Sequence, residues 1–333
     1  MSHSVPDLLP LVSIILPIRN ERAFIERCLG AVLAQDYPAD CMEILVADGM
    51  SDDGTQAIIA AMPGSERVRI IDNPRRIQAA GLNEAIQQAR GDVIVRVDGH
   101  TIIAPDYVSQ CVAALQATGA DNVGGAMDPA GLTSTGEAIA AAGKSPFAVP
   151  TAFHVSQIAQ FTDTVYMGAW PQSIFEKIGL FREDFIANED YELNYRIRAS
   201  GGTIYFTPKI RSVYYGRQSF PALARQYYRY GKSKVKTLRE HPGSLRPRQL
   251  VAPLFVAGVI GGLPLSLFSS TLRRLWLAGQ LVYLAANLYF SFKTSTRVGS
   301  RIAWRLPLVF LTIHLAWGLG FWVGLMESHE PGT

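Results

Sequence analysis

The chain has 333 residues, a formal net charge of +3, 48% hydrophobic and 18% charged residues, and a mean hydropathy of +0.13. It is too apolar for an ordinary soluble enzyme and too polar for a transporter built mostly of membrane helices, and its length allows one large domain or two ordinary ones. The small net charge conceals an asymmetry: residues 1–190 hold 12 Lys and Arg against 24 Asp and Glu, whereas residues 191–333 hold 19 against 4. An acidic front half joined to a basic, apolar back half predicts a globular domain followed by a module facing anionic lipid. Cys28, Cys41 and Cys111 show no CxxC or His-paired spacing and read as free thiols in a reducing compartment. No basic n-region with an apolar core and cleavage site opens the chain, so the front half is expected to stay in the cytosol.

Residues 12–17 (VSIILP) form a short apolar run rich in β-branched residues, as expected of a strand buried on both faces. Residues 21–34 carry helical periodicity, with Phe24, Ile25, Cys28, Leu29 and Val32 on one side. A strand (43–47), a helix (55–61), a strand (68–71), a helix (77–90, with Gly91 as its stop) and a strand (93–97) follow. This alternation predicts an α/β fold with a mostly parallel sheet, whose ligands bind at the carboxyl ends of the strands. Residues 121–165, rich in small residues, are assigned only as an acceptor-side region. A short helix and turn (175–181), a helix from an acidic start (188–199) and a strand (203–207) complete the front part.

Beyond residue 245 the texture changes. Residues 250–268 and 275–292 carry no charge, and 306–326 has only His314 as a titratable group. Each run approaches the ~20 residues that cross a bilayer. Pro253, Pro264 and the glycines make the first run the weakest, a candidate for a broken or re-entrant segment. Arg246 and Arg248 before the first run, and Lys293, Arg297, Arg301 and Arg305 after the second, send the three runs out, in and out if both sites are cytosolic. Arg273 and Arg274 then fall outside, against the rule, which a re-entrant first segment would relieve. The expected organisation is a catalytic domain over 10–224, a basic interfacial segment over 225–248 and a membrane region over 249–328.

Polar clusters sit at the expected strand ends. The first runs from Leu16 and Pro17 through Arg19, Asn20 and Glu21; the second is Asp48-Gly49-Met50-Ser51-Asp52-Asp53-Gly54-Thr55. A carboxylate at a strand end can accept from a base N–H or a ribose hydroxyl, Gly49 and Gly54 admit close backbone approach, and Ser51 and Thr55 can cap the next helix. Asp-Gly also reads simply as a turn. GxGxxG and GxxxxGK[ST] are absent, which argues against a dinucleotide oxidoreductase and a P-loop NTPase. Asp98-Gly99-His100 closes a strand, and Asp98 and His100 can share a divalent ion that neutralises a diphosphate leaving group, with imidazole suiting Mn²⁺ better than Mg²⁺; the plain alternative is a polar turn. Glu189-Asp190 at a helix start can complement the helix dipole or supply a general base. Arg217 and Gln226-Tyr227-Tyr228-Arg229-Tyr230-Gly231-Lys232 can grip a diphosphate, or belong to a basic interfacial helix, since residues 225–248 hold eight Lys and Arg and one Glu.

Taken in order, these clusters resemble an inverting family 2 glycosyltransferase of GT-A fold over residues 10–245. The resemblance implies that Pro17, Asn20, Glu21, Asp48, Ser51 and Asp53 line the nucleotide pocket, with Asp48 at the uracil. It implies that Asp98 and His100 stand at the metal-binding DxD and hold Mn²⁺ or Mg²⁺, and that Asp190 is the catalytic base. Gln226 and Arg229 would match QxxRW, with Tyr230 in place of Trp. Residues 163–169, 179–181 and 192–196 further resemble the bacterial exopolysaccharide subgroup, especially succinoglycan-type glucosyltransferases. That implies a UDP-sugar donor, with UDP-glucose expected, a polyprenyl-diphosphate-linked glycan acceptor, and an inner-membrane location with the catalytic domain cytoplasmic. A processive polysaccharide synthase, a polyprenyl-phosphate sugar synthase and a membrane-tethered UDP-sugar sensor stay open at this point. A nucleic-acid partner is not expected, because the basic charge adjoins apolar runs and not an RNA-type aromatic motif.

Overall fold

The computed structural model describes residues 9–148 and 156–327. The chain divides into two compact units, residues up to 128 with 156–214, and residues 129–148 with 215–327.

The first unit is a sheet between two layers of helices. β1 (Val12–Ile18), β2 (Met42–Asp48), β3 (Val68–Asp72) and β4 (Val93–Arg96) are parallel, with α1 (Ile25–Leu33), α2 (Thr55–Ala61) and α3 (Gln78–Gln88) as connections. β1 and β2 are buried at every residue, which is why they read as unbroken apolar runs. Their side chains alternate between two cores. Ile14 and Leu16 pack with Ile25, Leu29 and Val32, whereas Ile15 and Leu45 pack with Leu82 and Ile86. Pro17 fits within β1 because pairing with β4 ends at Ile15 opposite Arg96, so its missing N–H breaks no ladder bond there.

The rest of the sheet is antiparallel, so the expectation of a mostly parallel sheet holds for β1–β4 only. β5 (Thr101–Ile103), α4 (Tyr107–Thr118), β6 (Asn122–Ala130), β7 (Gln160–Phe161), β8 (Tyr166–Pro171), α6 (Ser173–Ile178), α7 (Glu189–Ala199) and β9 (Ile204–Tyr215) follow, with α5 (Ser134–Gly143) in the other unit. Strand order is β3-β2-β1-β4-β8-β6-β9-β5, with β7 on β9, and β8, β5 and β7 each pair antiparallel. β9 runs well past the expected 203–207, because Pro208 and the exposed Lys209 and Arg211 interrupt the apolar signal. The region assigned as 121–165 resolves into β6, α5, β7 and the approach to β8, and its residues 149–155 lie outside the described residues.

Gly91 does not stop α3 by a left-handed turn. The helix ends at Gln88, and Gly91 is needed where the chain crosses β1: a Cβ there would lie 2.5 Å from the Ser13 nitrogen and 2.8 Å from the Leu11 carbonyl. Gly91 N–H instead donates to Ser13 Oγ at 2.8 Å.

In the second unit, α5 packs with the C-terminal helices, so residues 129–148 leave the domain expected over 10–224. α8 (Phe220–Glu240), α9 (Val251–Phe268), α10 (Ser270–Val298), α11 (Ser300–Ala303) and α12 (Leu306–Met326) complete the described chain. α9 continues through Pro264, so the first apolar run is unbroken, and α10 extends the expected 275–292 at both ends. α9, α10 and the stretch containing α12 are long and apolar enough to cross a membrane.

Candidate functional site

The carboxyl ends of β1 and β2 carry two loops that are bound to each other. The Asn20 amide donates to Asp52 Oδ1 at 2.9 Å, and the Asp52 N–H returns a bond to Asn20 Oδ1 at 3.0 Å. Asn20 N–H donates to Ser51 Oγ at 2.9 Å, Glu21 N–H to Thr55 Oγ1 at 2.9 Å, and Arg22 N–H to Asp53 Oδ2 at 3.0 Å. Asp48 is fully buried and accepts from the Ser51 N–H and hydroxyl and from the Gln56 amide. Bonds from Thr55 hold the Asp53 carboxyl below its ordinary range. Asn20 and Met50 take left-handed backbone conformations, with φ of 56° and 58°. Strain of this kind collects where a scaffold is held for a ligand.

Ser51 and Thr55 do not cap α2 as expected. The cap position is Gly54, left-handed at φ 92° and without a side-chain bond, and the two hydroxyls tie the loops together instead. Pro17 is buried in β1 and orients the chain entering the first loop.

At the end of β4 stands Arg96, a buried arginine in an otherwise apolar strand. Its Nε donates to Asp98 Oδ1 at 2.7 Å, and its Nη2 reaches Glu189 Oε1 at 3.2 Å. Its Nη1 is buried with no hydrogen-bond partner among the described residues. Burial alone would favour loss of the proton, but Asp98, Glu189 and Asp190 outweigh it and hold the guanidinium charged. Gln78 also donates to Asp98 Oδ1, at 3.4 Å.

Glu189 and Asp190 open α7, entered through Asn188 in a left-handed conformation at φ 65°. Burial raises both carboxyls above the ordinary range, Arg96 pulls them back, and neighbouring carboxylates add to the rise. Arg196 fixes the start of this helix. Its guanidinium pairs with Glu192 at 2.8 Å and donates to the carbonyls of Ile178 at 2.6 Å and Leu180 at 2.8 Å.

His100 lies in the same turn as Asp98, since Thr101 N–H donates to the Asp98 carbonyl at 2.9 Å. Its Nδ1 is 3.0 Å from Glu21 Oε1, and its ring meets the edge of Tyr214 at 5.2 Å between centroids. Asp98 faces Arg96 while His100 faces Glu21. Among the described residues no three His, Cys, Asp or Glu side chains gather as a metal cage. A donor set of one carboxylate and one imidazole fits an ion that draws its other ligands from phosphate and water.

Gln226 and Arg229 lie on α8, in the second unit. Gln226 donates to the Tyr230 hydroxyl at 2.9 Å, one helical turn on, and Arg229 is exposed. Their expected role in holding diphosphate rests on the motif resemblance.

Arg96 and Arg196 are the residues that sequence reasoning passed over. The signal for Arg96 was a charge inside a run otherwise fit for double burial, which a chain tolerates only when the charge is paired. The signal for Arg196 was its i, i+4 spacing from Glu192.

Residues 13–161 match the family described as Glycosyl transferase family 2. Over 94% of this chain, and 94% of the relative, the sequence is 30% identical to the succinoglycan biosynthesis protein ExoA of Rhizobium meliloti (strain 1021). Over 96% of this chain and 98% of the relative, it is 27% identical to a dolichyl N-acetyl-alpha-D-glucosaminyl phosphate 3-beta-D-2,3-diacetamido-2,3-dideoxy-beta-D-glucuronosyltransferase of Methanococcus voltae. Among solved structures, it is similar to a mannosyltransferase from Pyrobaculum calidifontis in complex with GDP-Man and Mn²⁺, with a TM-score of 0.61 and 19% identity over 96% of this chain and 88% of that one. That likeness is one of fold, and the fold is GT-A.

Proposed function

Because the chain belongs to glycosyltransferase family 2, we propose that it is an inverting enzyme that moves a sugar, with glucose expected, from a UDP-sugar to a hydroxyl of a polyprenyl-diphosphate-linked glycan in bacterial exopolysaccharide biosynthesis. The observation that carries this reading is the placement of Asp190. Its half-buried carboxylate opens α7 beside a buried Arg96–Asp98–Glu189 network at the end of β4, and burial raises its affinity for a proton. A base whose pKa is raised towards the working pH takes a proton more effectively than an ordinary aspartate.

In this reading Asp190 takes the proton of the acceptor hydroxyl. The hydroxyl oxygen bonds to the anomeric carbon as the bond to the diphosphate oxygen breaks. One displacement inverts the centre, so an α-linked donor gives a β-linked product. The name of the Methanococcus relative, which specifies a lipid-phosphate-linked sugar as acceptor and a 3-beta linkage, supports the same acceptor class. The tied loops carrying Asn20, Glu21, Asp48, Ser51 and Asp53 hold the nucleoside, with Pro17 setting the course of the first loop. Asp98 and His100 would hold the divalent ion, Mn²⁺ or Mg²⁺, that neutralises charge on the departing diphosphate. Arg96 holds Asp98 in place through its Nε–H bond to Oδ1. The apolar helices and the bacterial relative support residence in the bacterial inner membrane, with the catalytic domain on the cytoplasmic side.

The test is transfer from radiolabelled UDP-glucose to a membrane extract containing lipid-linked glycan, by the purified full chain and by Asp190→Asn. Incorporation by the natural chain, lost in the variant while UDP still binds, is the expected result. Equal incorporation by both would remove Asp190 from the reaction.

A further inference from the structure

Composition marks three helical stretches as able to cross a bilayer, but their surroundings divide them. α9 and α10 form a hairpin joined at Ser269, and their large side chains stay exposed, Leu263, Leu267, Phe268, Leu275 and Leu281 among them. At ~1.5 Å per residue the 18 residues of α9 and the 29 of α10 extend about 27 and 43 Å, and both reach the roughly 17 residues that are the least a bilayer crossing needs. α12 differs. Half of its apolar window is buried within the protein, against 17% for α9 and 11% for α10.

The basic helix α8 accounts for much of that burial. The two helices run side by side, in the same direction and at backbone contact. A Cβ at Gly320 would strike the Tyr228 carbonyl, one at Gly231 would strike the Trp317 carbonyl, and one at Gly324 would lie 3.1 Å from the Lys232 carbonyl. Small residues of this kind allow helices to approach closely. At the leading end Leu223 shares a buried cluster with Phe310 and Ile313. At the trailing end Arg239 Nη2 donates to the carbonyls of Leu325 at 3.1 Å and Glu327 at 2.9 Å, and Lys232 pairs with Glu327 at 2.7 Å. The contact therefore runs along most of α12.

α8 carries Arg225, Arg229, Lys232, Lys234, Lys236 and Arg239 along that same length. If α12 crossed the bilayer, α8 would be drawn through hydrocarbon with it, where each charge is costly. On the free face of α12, Leu308, Leu319 and Met326 form an apolar stripe with Leu325 beside it, while Trp322 turns to α9 and donates to the Pro253 carbonyl at 2.9 Å. A helix with one apolar stripe and a basic partner suits the plane of a membrane interface.

We propose that α12 lies along the membrane surface, its stripe in the acyl boundary and the exposed Arg225 and Arg229 of α8 near anionic headgroups, and that only the α9–α10 hairpin crosses. Arg273 and Arg274, one turn beyond the hairpin tip, reach the far headgroups with their long stems in the core. The end of α12 then lies on the same side as α8, opposite Ser269. Three crossings would place it with Ser269.

The experiment uses the full chain in bacterial membranes. Cys28 and Cys111 are changed to Ala and Cys41 to Ser, and a single cysteine is placed at Gly243 after α8, at Ser269, or after Thr333. Each variant is treated with a membrane-impermeant maleimide in spheroplasts and in inverted vesicles. Labelling of the terminal cysteine in the same preparation as Gly243→Cys, with Ser269→Cys labelled in the opposite one, is expected. Labelling of the terminal cysteine together with Ser269→Cys would overturn the proposal. So would labelling of Ser269→Cys together with Gly243→Cys, or in neither preparation. Protease accessibility of a peptide tag after Thr333 in the otherwise unaltered chain repeats the measurement should the cysteine replacements fail to fold.

Discussion

Arg96 at the end of β4 and Glu189 at the start of α7 meet at 3.2 Å across 93 residues of sequence. The same guanidinium holds Asp98 at 2.7 Å, so one buried cation fixes two carboxylates that come from different layers of the fold. Removing one partner of such an assembly leaves the others charged and unpaired in a poorly solvated place. Arg96→Met is therefore expected to cost about 3–5 kcal/mol of stability. Arg96→Met combined with Asp98→Asn and Glu189→Gln should recover much of it, because no buried charge is then left unpaired. Thermal melting of the two variants against the natural chain measures this, and equal midpoints for the single and triple variants would refute it.

The raised carboxyls at the start of α7 set the direction of a pH response. A carboxyl whose folded pKa exceeds its unfolded value stabilises the fold below the unfolded pKa, and that contribution is lost as pH rises through the folded one. Burial raises both Glu189 and Asp190, so their contribution to stability should fall as pH climbs through the raised values. Over the same window Asp190 becomes able to accept a proton, and transfer should accelerate. Rate and stability measured from acid towards neutral pH should therefore move in opposite directions. Any residual rate in Asp190→Asn should lack this rising limb.

The Asp98–His100 turn gives a prediction for the divalent ion. In calorimetry with UDP, Mn²⁺ should tighten binding to the natural chain, and EDTA should abolish the gain. Asp98→Ala should lose that gain, and Glu21→Gln, which removes the carboxylate 3.0 Å from His100 Nδ1, should weaken metal affinity roughly 10–100-fold. Identical UDP affinity with Mn²⁺ and with EDTA in the natural chain would remove both residues from an ion site.

Asn20 combines a left-handed φ of 56° with two bonds to Asp52. Asn20→Ala should lose about 1–2 kcal/mol from the backbone conformation, together with the loop contact. Asn20→Gly tolerates the backbone and loses only the contact, so it should be the more stable of the two variants in urea unfolding. The reverse order would mean that the conformation is not strained.

Most of the parallel half of the sheet was legible because doubly buried strands carry no polar alternation, and β1, β2 and β4 stood out as short apolar runs between helical patterns, whereas the edge strand β3 is mostly exposed. The antiparallel half was not. Residues 121–165, rich in small residues, were assigned only as an acceptor-side region, yet Gly124 and Gly125 lie in β6, where a side chain at Gly124 would meet Val165 and one at Gly125 would strike the Ile210 backbone. That contact joins positions far apart in sequence, and no local pattern records it. At the site, the acidic and turn residues were legible by type and place. The basic residues that hold them were not, since Arg96 and Arg196 act on partners that only the folded chain brings near. Pairing of α8 with α12 was hidden for the same reason, because hydropathy scores a helix alone and not what lies beside it.

The reciprocal bonds between Asn20 and Asp52, with those that Ser51, Thr55 and Asp53 accept from the first loop, make the first two strand-end loops one inheritable cassette. A substitution in either loop changes the fit of the other, so drift in one must be answered in its partner. Grafting donor preference from a relative would require both loops to be moved together, and single-loop chimaeras should fail even when each transplanted segment is competent in its own parent.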